Sequence, residues 1–254
     1  MGHRSTVERE FARQAESFAA SPTLAAEEVT ERLAAALGNE RHARLLDVAC
    51  GPGVLSPALS PRAHQVVSLD VTAQVLQLAR QRSQAAGLAN LRFARGVAEQ
   101  LPFAEHSFDA AVLRLALHHF DRPIPALRAI RQALRPGGRL ALLDVLTSPD
   151  PATARLHNAI ERLRDPSHQA FQPEAGLREL LQEAGFTLSH CETWSRPREV
   201  REWCGIVADP VRTDALEVVM RELSRAGVPT GMELREVDDG LWMTYQWCLL
   251  VASA

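Results

Sequence analysis

The segment Leu45-Leu46-Asp47-Val48-Ala49-Cys50-Gly51-Pro52-Gly53 constrains this chain more than any other. Two apolar residues lead to an acid, then to a turn of small residues with two glycines. Val54-Leu55 and Ala58-Leu59 follow at helical spacing. The pattern predicts a buried strand, a glycine turn and a helix start. Glycine has no Cβ, so such a turn lets a ligand approach the backbone, and the helix behind it presents unpaired N–H groups. A nucleotide-like ligand is the first expectation, with a plain tight turn as the alternative.

The surrounding residues narrow the ligand. A dinucleotide fingerprint wants glycine at its first, third and sixth positions, which here hold Ala49, Gly51 and Val54. The third glycine is missing. Asp47 stands just before the turn, where a carboxylate repels a pyrophosphate but suits a cationic amine. Asp70 closes the next apolar run, Val66-Val67-Ser68-Leu69-Asp70. An acid ending the second strand can take both hydroxyls of a ribose. One acid for an amine and one for a ribose describe S-adenosylmethionine better than a nicotinamide dinucleotide.

At this point the chain resembles the class I S-adenosylmethionine-dependent methyltransferases, in particular the type 11 small-molecule family that includes the ubiquinone/menaquinone C-methylases. The resemblance is carried by Leu45 to Gly53, Val67 to Asp70 and Ala98-Glu99-Gln100-Leu101-Pro102-Phe103. Ser107 to Val112, Ala116-Leu117-His118-His119-Phe120 and Leu134-Arg135-Pro136-Gly137-Gly138 add to it. It spans residues 41–146 and is specific for fold and cofactor rather than for substrate. It implies an α/β, Rossmann-like sheet of seven mostly parallel strands with helices on both faces. The last strand is expected antiparallel, inserted beside the fifth. An N-terminal helix is expected to fold over the cofactor as a lid. The domain expectation is then a helical lid at 1–40, a cofactor-binding core at 41–146, and a C-terminal part at 147–254 that completes the sheet and carries a substrate-cap insertion near 195–230.

Periodicity fills in the elements. Residues 5–20 read as an amphipathic helix with Val7, Phe11, Ala15 and Phe18 near one face, and 23–37 as a second helix. From Arg44 strand and helix alternate: strands near 44–49, 65–70, 91–94, 108–114 and 139–145, helices near 53–60, 72–86 and 123–134. Such alternation implies a parallel sheet with right-handed crossovers. Helices near 152–163, from Pro173 to Ala184, near 198–206 and near 211–226, with strands near 186–194, 232–237 and 241–252, complete the reading.

Ligands in open parallel sheets bind beyond the carboxyl ends of the strands, where strand order reverses. Asp47 is expected to orient the turn or to take the ligand's ammonium, with Ala49, Gly51 and Gly53 leaving room for the methionine part. Asp70 is expected at the ribose, with Val71 and Val75 flanking the adenine. The family often has an acid for the adenine amine where this chain has Val97; the Ala98 N–H can still donate to the ring, and Glu99 is a substitute acceptor. A general base is needed only if the acceptor enters protonated. His118, His119 and His168 are the candidates, with His118 placed in the cleft. Arg114, at the end of the fourth strand, is a candidate for both cofactor and acceptor binding, or else pairs with Asp144. Arg164, Asp165 and His168 form a polar cluster over the acceptor or a solvated loop. Among Trp194, Trp203, Trp242 and Trp247, some either line an aromatic acceptor pocket or serve as core.

Composition excludes several classes. All 28 basic residues are arginine, so Schiff-base chemistry on lysine is absent. A formal charge of −3 argues against a nucleic-acid surface. Cys50, Cys191, Cys204 and Cys248 are scattered without C-x-x-C spacing, and no metal is expected. With no signal peptide and no membrane-length apolar run, the expectation is a cytoplasmic monomer or homodimer acting on a small-molecule acceptor, without nucleic-acid or membrane partners. The rival readings are an enzyme that uses the same cofactor for rearrangement or decarboxylation, an NAD(P)-dependent oxidoreductase, and a non-catalytic binding subunit.

Overall fold

The computed structural model describes residues 2–254. Its strands are β1 (His42–Val48), β2 (Ala63–Asp70), β3 (Leu91–Arg95), β4 (Phe108–Arg114), β5 (Leu134–Leu146), β6 (Thr187–Glu199), the short β7 (Arg235–Val237) and β8 (Gly240–Ser253). Seven of them run in the order β3-β2-β1-β4-β5-β8-β6. The first five are parallel, and β8 lies antiparallel between β5 and β6. The eighth, β7, forms a hairpin with the start of β8.

The central strands are covered on both faces, which is why they read as nearly unbroken apolar runs. Leu45, Ala110, Val112, Ala141 and Leu143 enter one core. Their neighbours Leu46, Val48, Ala111, Leu113, Leu140 and Leu142 enter the other. The helices are α1 (His3–Ala20), α2 (Glu27–Ala35), α3 (Ser56–Leu59), α4 (Ala73–Ala85), α5 (Pro123–Ala133), α6 (Pro151–Arg164), α7 (Glu174–Glu183), α8 (Val200–Gly205) and α9 (Pro210–Arg225). Val29 and Leu33 of α2, Trp203 of α8 and Leu216 and Met220 of α9 pack into the first core. Leu127 and Ile130 of α5 and Leu177 and Leu181 of α7 pack into the second.

Several boundaries differ from the periodicity: α2 starts at Glu27 rather than 23 and β7 at Arg235 rather than 232, and three others bear on the sheet and the site. The helix expected at 53–60 shrinks to α3, because residues 51–55 stay in the ligand turn. Strand β5 begins at Leu134, paired with Phe108, and its register shifts before Arg139 pairs with Ala110. Pro136 brings no N–H to a ladder and Gly137 takes φ +76°, so the expected turn becomes an irregularity inside a strand. Strand β6 continues to Glu199, opposite Trp242, so the segment outside the sheet begins at residue 200. Its second half, Ser195-Arg196-Pro197-Arg198-Glu199, is polar and contains proline because β6 is an edge strand.

The topology fixes where a ligand can sit. From β1 the chain crosses to β2 and β3 on one side, then returns to β4 on the other. The carboxyl ends of β1 and β4 therefore flank a crevice. Ala49 follows β1 and Leu115 follows β4, and both take left-handed backbone, φ 52° and 49°. For residues with a Cβ this costs roughly 1–2 kcal/mol each. Strain gathers at the mouth of the crevice.

Candidate active site

After β1 the chain turns through Ala49, Gly51 and Gly53, all left-handed. The Cys50 N–H donates to Leu69 O at 3.0 Å, which ties the turn to β2. Asp70 fixes it further: Oδ2 accepts from the Gly51 N–H at 3.0 Å and Oδ1 from the Thr72 N–H at 2.9 Å. Burial pushes its pKa up, and these N–H groups oppose that. Each carboxylate oxygen keeps a lone pair for a further donor. A Cβ at Gly51 would meet nothing within 4 Å, whereas one at Gly53 would meet Ser56 Oγ at 3.1 Å and Ala79 Cβ at 3.3 Å. The two glycines thus do different things. Gly51 borders open space, and Gly53 lets the turn sit on α4, so Gly53 does not line the cavity as the sequence suggested.

A cavity of about 460 Å³ lies over the turn. Asp47, Ala49, Gly51 and Asp70 form its floor, and Val71, Val75, Val97, Ala98 and Glu99 one end. Val7, Phe11, Ala15 and Phe18 of α1 face it from above, and Arg114 and His119 close the other end. Asp47 is only 2 % exposed and its Oδ2 has no hydrogen-bond partner. Burial pushes its pKa up to about 7; Arg114 pulls it down and Asp70 adds to the rise. Arg114 is buried as well. One terminal nitrogen donates to Leu24 O, and its Nε has no partner. Desolvation lowers its pKa to about 10, which leaves it charged at neutral pH, and Asp47 opposes the fall. A buried acceptor and a buried donor, both unmet, thus belong to two residues that line one cavity. A ligand bearing an ammonium and a carboxylate satisfies both.

The three candidate histidines take different places. His118 lines a small adjoining cavity rather than the large one, and donates from Nδ1 to Asp144 Oδ1 at 2.6 Å, so Asp144 is not free to pair with Arg114. His168 is 2 % exposed and donates from Nε2 to Asn158 Oδ1 at 2.7 Å, which makes it part of the packing under α6. His119 is the one that lines the cavity. Its Nδ1 lies 3.1 Å from both Ser167 O and Ser167 Oγ. The Ser167 hydroxyl donates its one proton to Asp165 Oδ1 at 2.6 Å, so Nδ1 carries the hydrogen and Nε2 offers a lone pair. Burial and then His118 lower the His119 pKa to about 3, with Asp165 opposing. Burial raises the Asp165 pKa, but Arg164 and the hydrogen bonds from Ser167 and Gln14 hold it below the usual carboxylate range, so the group is ionised. The result is a neutral imidazole backed by a hydroxyl and a carboxylate.

A second cavity of about 50 Å³ adjoins the first, and Phe11, Phe18, Leu115 and His119 line both. Phe171, Trp203, Tyr245 and Trp247 wall its far side. Of the cluster expected near the acceptor, Arg164 and Asp165 border this space, while His168 does not. Trp194 lies behind Trp247, ring centres 6.1 Å apart, beneath the Arg32 guanidinium. Among the described residues no three or more His, Cys, Asp or Glu are grouped to hold a metal ion, and no helix is long and apolar enough to cross a membrane.

This sheet order, with its crevice between β1 and β4, defines an S-adenosylmethionine-dependent methyltransferase fold of class I. Residues 46–142 match the methyltransferase domain model. The chain is 31 % identical over 160 residues to the uncharacterized methyltransferase YcgJ of Bacillus subtilis, a match covering 63 % of each chain, just under two thirds of that relative. It is 28 % identical over 170 residues to a demethylmenaquinone methyltransferase of Listeria monocytogenes, covering 58 % of this chain and 71 % of that one. The crystal structure of the B. subtilis YcgJ protein superposes with a TM-score of 0.81 at 24 % identity, covering 89 % of this chain and 98 % of that one. The chain belongs to the class I small-molecule methyltransferase family. The nicotinamide, rearrangement and binding-subunit readings are not favoured by these likenesses.

Proposed function

We propose that this chain binds S-adenosylmethionine in the large cavity and transfers its methyl group to a small acceptor in the adjoining one. The observation that carries the reading is that Asp47 and Arg114, each with a buried polar atom that nothing in the protein satisfies, line the cavity that Gly51 leaves open. The residues fit the cofactor by chemical type. Asp47 takes the ammonium, Arg114 the carboxylate, and the spare lone pairs of Asp70 the two ribose hydroxyls. Val71, Val75 and Val97 flank the adenine, with the Ala98 N–H as donor to its ring. When bound, the sulfonium supplies an already activated methyl group. The protein's part is to position the acceptor in line behind it, which is worth several kcal/mol, and to exclude water under α1.

In this reading residues 1–40 are the lid, 41–146 the cofactor core and 147–254 the part that walls the acceptor. Titration calorimetry with S-adenosylmethionine and S-adenosylhomocysteine tests it. Dissociation constants on the order of micromolar are expected, about −8 kcal/mol. Absence of binding by both ligands removes the reading.

A further inference from the structure

All four cysteines are free, and the sequence scatters them without a metal-binding spacing. The fold brings two of them together. Cys191 of β6 and Cys248 of β8 stand on neighbouring antiparallel strands, and their sulfurs lie 3.7 Å apart. Neither residue lines the large or the small cavity, so the pair lies outside the site described above. Cys248 is fully buried, whereas Cys191 is partly exposed and can be reached from solvent.

The register decides what the pair can hold. Cys191 pairs with Leu250 and Thr193 with Cys248, so the two cysteines are diagonal neighbours. Diagonal Cα atoms stand roughly 7–8 Å apart, beyond the ~4.4–6.8 Å span of a disulfide. A direct S–S bond therefore needs the strands to shift. A single atom between the sulfurs does not. Two thiolates on one tetrahedral zinc, with bonds of ~2.3 Å, place their sulfurs about 3.8 Å apart. A linear arrangement with the same bonds would spread them to about 4.6 Å. The spacing already present matches the tetrahedral edge. Cys191 Sγ also lies 3.5 Å from Glu174 Oε1, but that carboxylate is engaged by Arg178 at 2.8 Å. The protein's donors are then the two sulfurs, in keeping with the lack of any three-residue metal cluster among the described residues. Sulfur donors select soft ions.

We propose that Cys191 and Cys248 form a dithiolate site for a soft, four-coordinate divalent cation of the zinc and cadmium kind, which completes its shell with water. Burial keeps both thiols protonated in the free protein. On binding, each gives its proton to solvent as its sulfur–metal bond forms. The ion joins two points 57 residues apart in the chain. Between them lie α8, α9 and β7, so the bridge closes that whole segment at its base.

The test is titration of the full chain, freshly reduced and kept under nitrogen, with cadmium chloride. The readout is the sulfur-to-cadmium charge-transfer band in the ultraviolet. One ion per chain is expected. Zn²⁺ should displace it, and Mg²⁺, which takes oxygen ligands, should leave it in place. Cys191→Ser should weaken binding by more than the ~10–100-fold that loss of an outer-shell partner costs. The double variant Cys50→Ala with Cys204→Ala keeps the pair and should bind as the wild type does. Absence of the band in the wild type overturns the proposal, as does a band that Cys191→Ser leaves unchanged. If a variant fails to fold, alkylation of the wild type decides. Bound cadmium should shield Cys191 from iodoacetamide, read by peptide mass, and labelling of Cys191 at an unaltered rate refutes the site.

Discussion

Gly51 and Gly53 share a left-handed backbone but answer to different neighbours. Alanine at either position carries the left-handed penalty of roughly 1–2 kcal/mol. At Gly53 the new methyl also crowds Ala79 and Ser56, whereas at Gly51 it extends into open space beside the cavity. Thermal melts should therefore show Gly53→Ala losing more stability than Gly51→Ala. Calorimetry should show the reverse order for loss of S-adenosylhomocysteine affinity in the folded protein. Asp47 supports a second prediction. Its folded pKa of about 7 lies above the ordinary carboxylate value of 3.8. The proton is held more tightly in the fold, so this group's stabilising contribution is full below pH ~4 and is lost as pH rises through ~7. A bound ammonium favours the carboxylate and reverses that preference. Ligand binding near pH 6.5 should then release about three quarters of a proton, and binding above pH 8 almost none. Calorimetry in buffers of different ionisation enthalpy measures this; Asp47→Asn should abolish the release. These roles were only half legible in the sequence. Glycines and acids mark the turn, but which glycine borders open space depends on α4, which the local string does not contain.

Helix α1 has little of its own to hold it in place. No side chain caps its N-terminus, its first turn has no acid and its last turn no base. Its surface pairs, such as Arg4 with Glu8 and Arg95 with Glu8, are the exposed kind worth ~0–1 kcal/mol. What fixes it is contact with the site. His3 Nε2 donates to His119 O at 2.7 Å, Phe11 meets the His119 ring edge-on at 4.8 Å, and Gln14 reaches Asp165. The apolar stripe of Val7, Phe11, Ala15 and Phe18 is legible from period alone, and all four line the large cavity. Gln14 is not legible, because its partner lies 151 residues away. A ligand filling the cavity adds contacts to the apolar face of α1. Hydrogen exchange of the α1 amides should therefore slow at least severalfold when S-adenosylhomocysteine binds. Unchanged exchange there, with normal slowing at the 49–53 turn, would mean that α1 is simply part of the packed wall.

At the scale of the whole molecule, alternation of strand and helix was enough to predict the parallel sheet and the crevice. Everything that specifies the acceptor side comes from distant partners. His119 is backed by Ser167, 48 residues on, and the indoles that line the small cavity with it come from α8 and β8. The tandem His118-His119 and the Asp165-Pro166-Ser167 turn are visible in the chain, but only the fold shows that His119 turns inward while His118 goes to Asp144. The same convergence couples the two cavities. Phe11 and Phe18 of α1, with Leu115 and His119, belong to both walls. Filling one cavity fixes side chains that the second ligand would otherwise have to order. Linkage requires the effect to be equal in both directions. With phenol as a small probe of the second cavity, saturating S-adenosylhomocysteine should tighten phenol binding by about fivefold or more, the lower end of usual coupling between sites. Saturating phenol should tighten S-adenosylhomocysteine by that same factor. Removing the shared rings in Phe11→Ala should bring both factors toward one while each ligand still binds alone. If the wild-type factors are already one, the two cavities are independent and α1 transmits nothing between them.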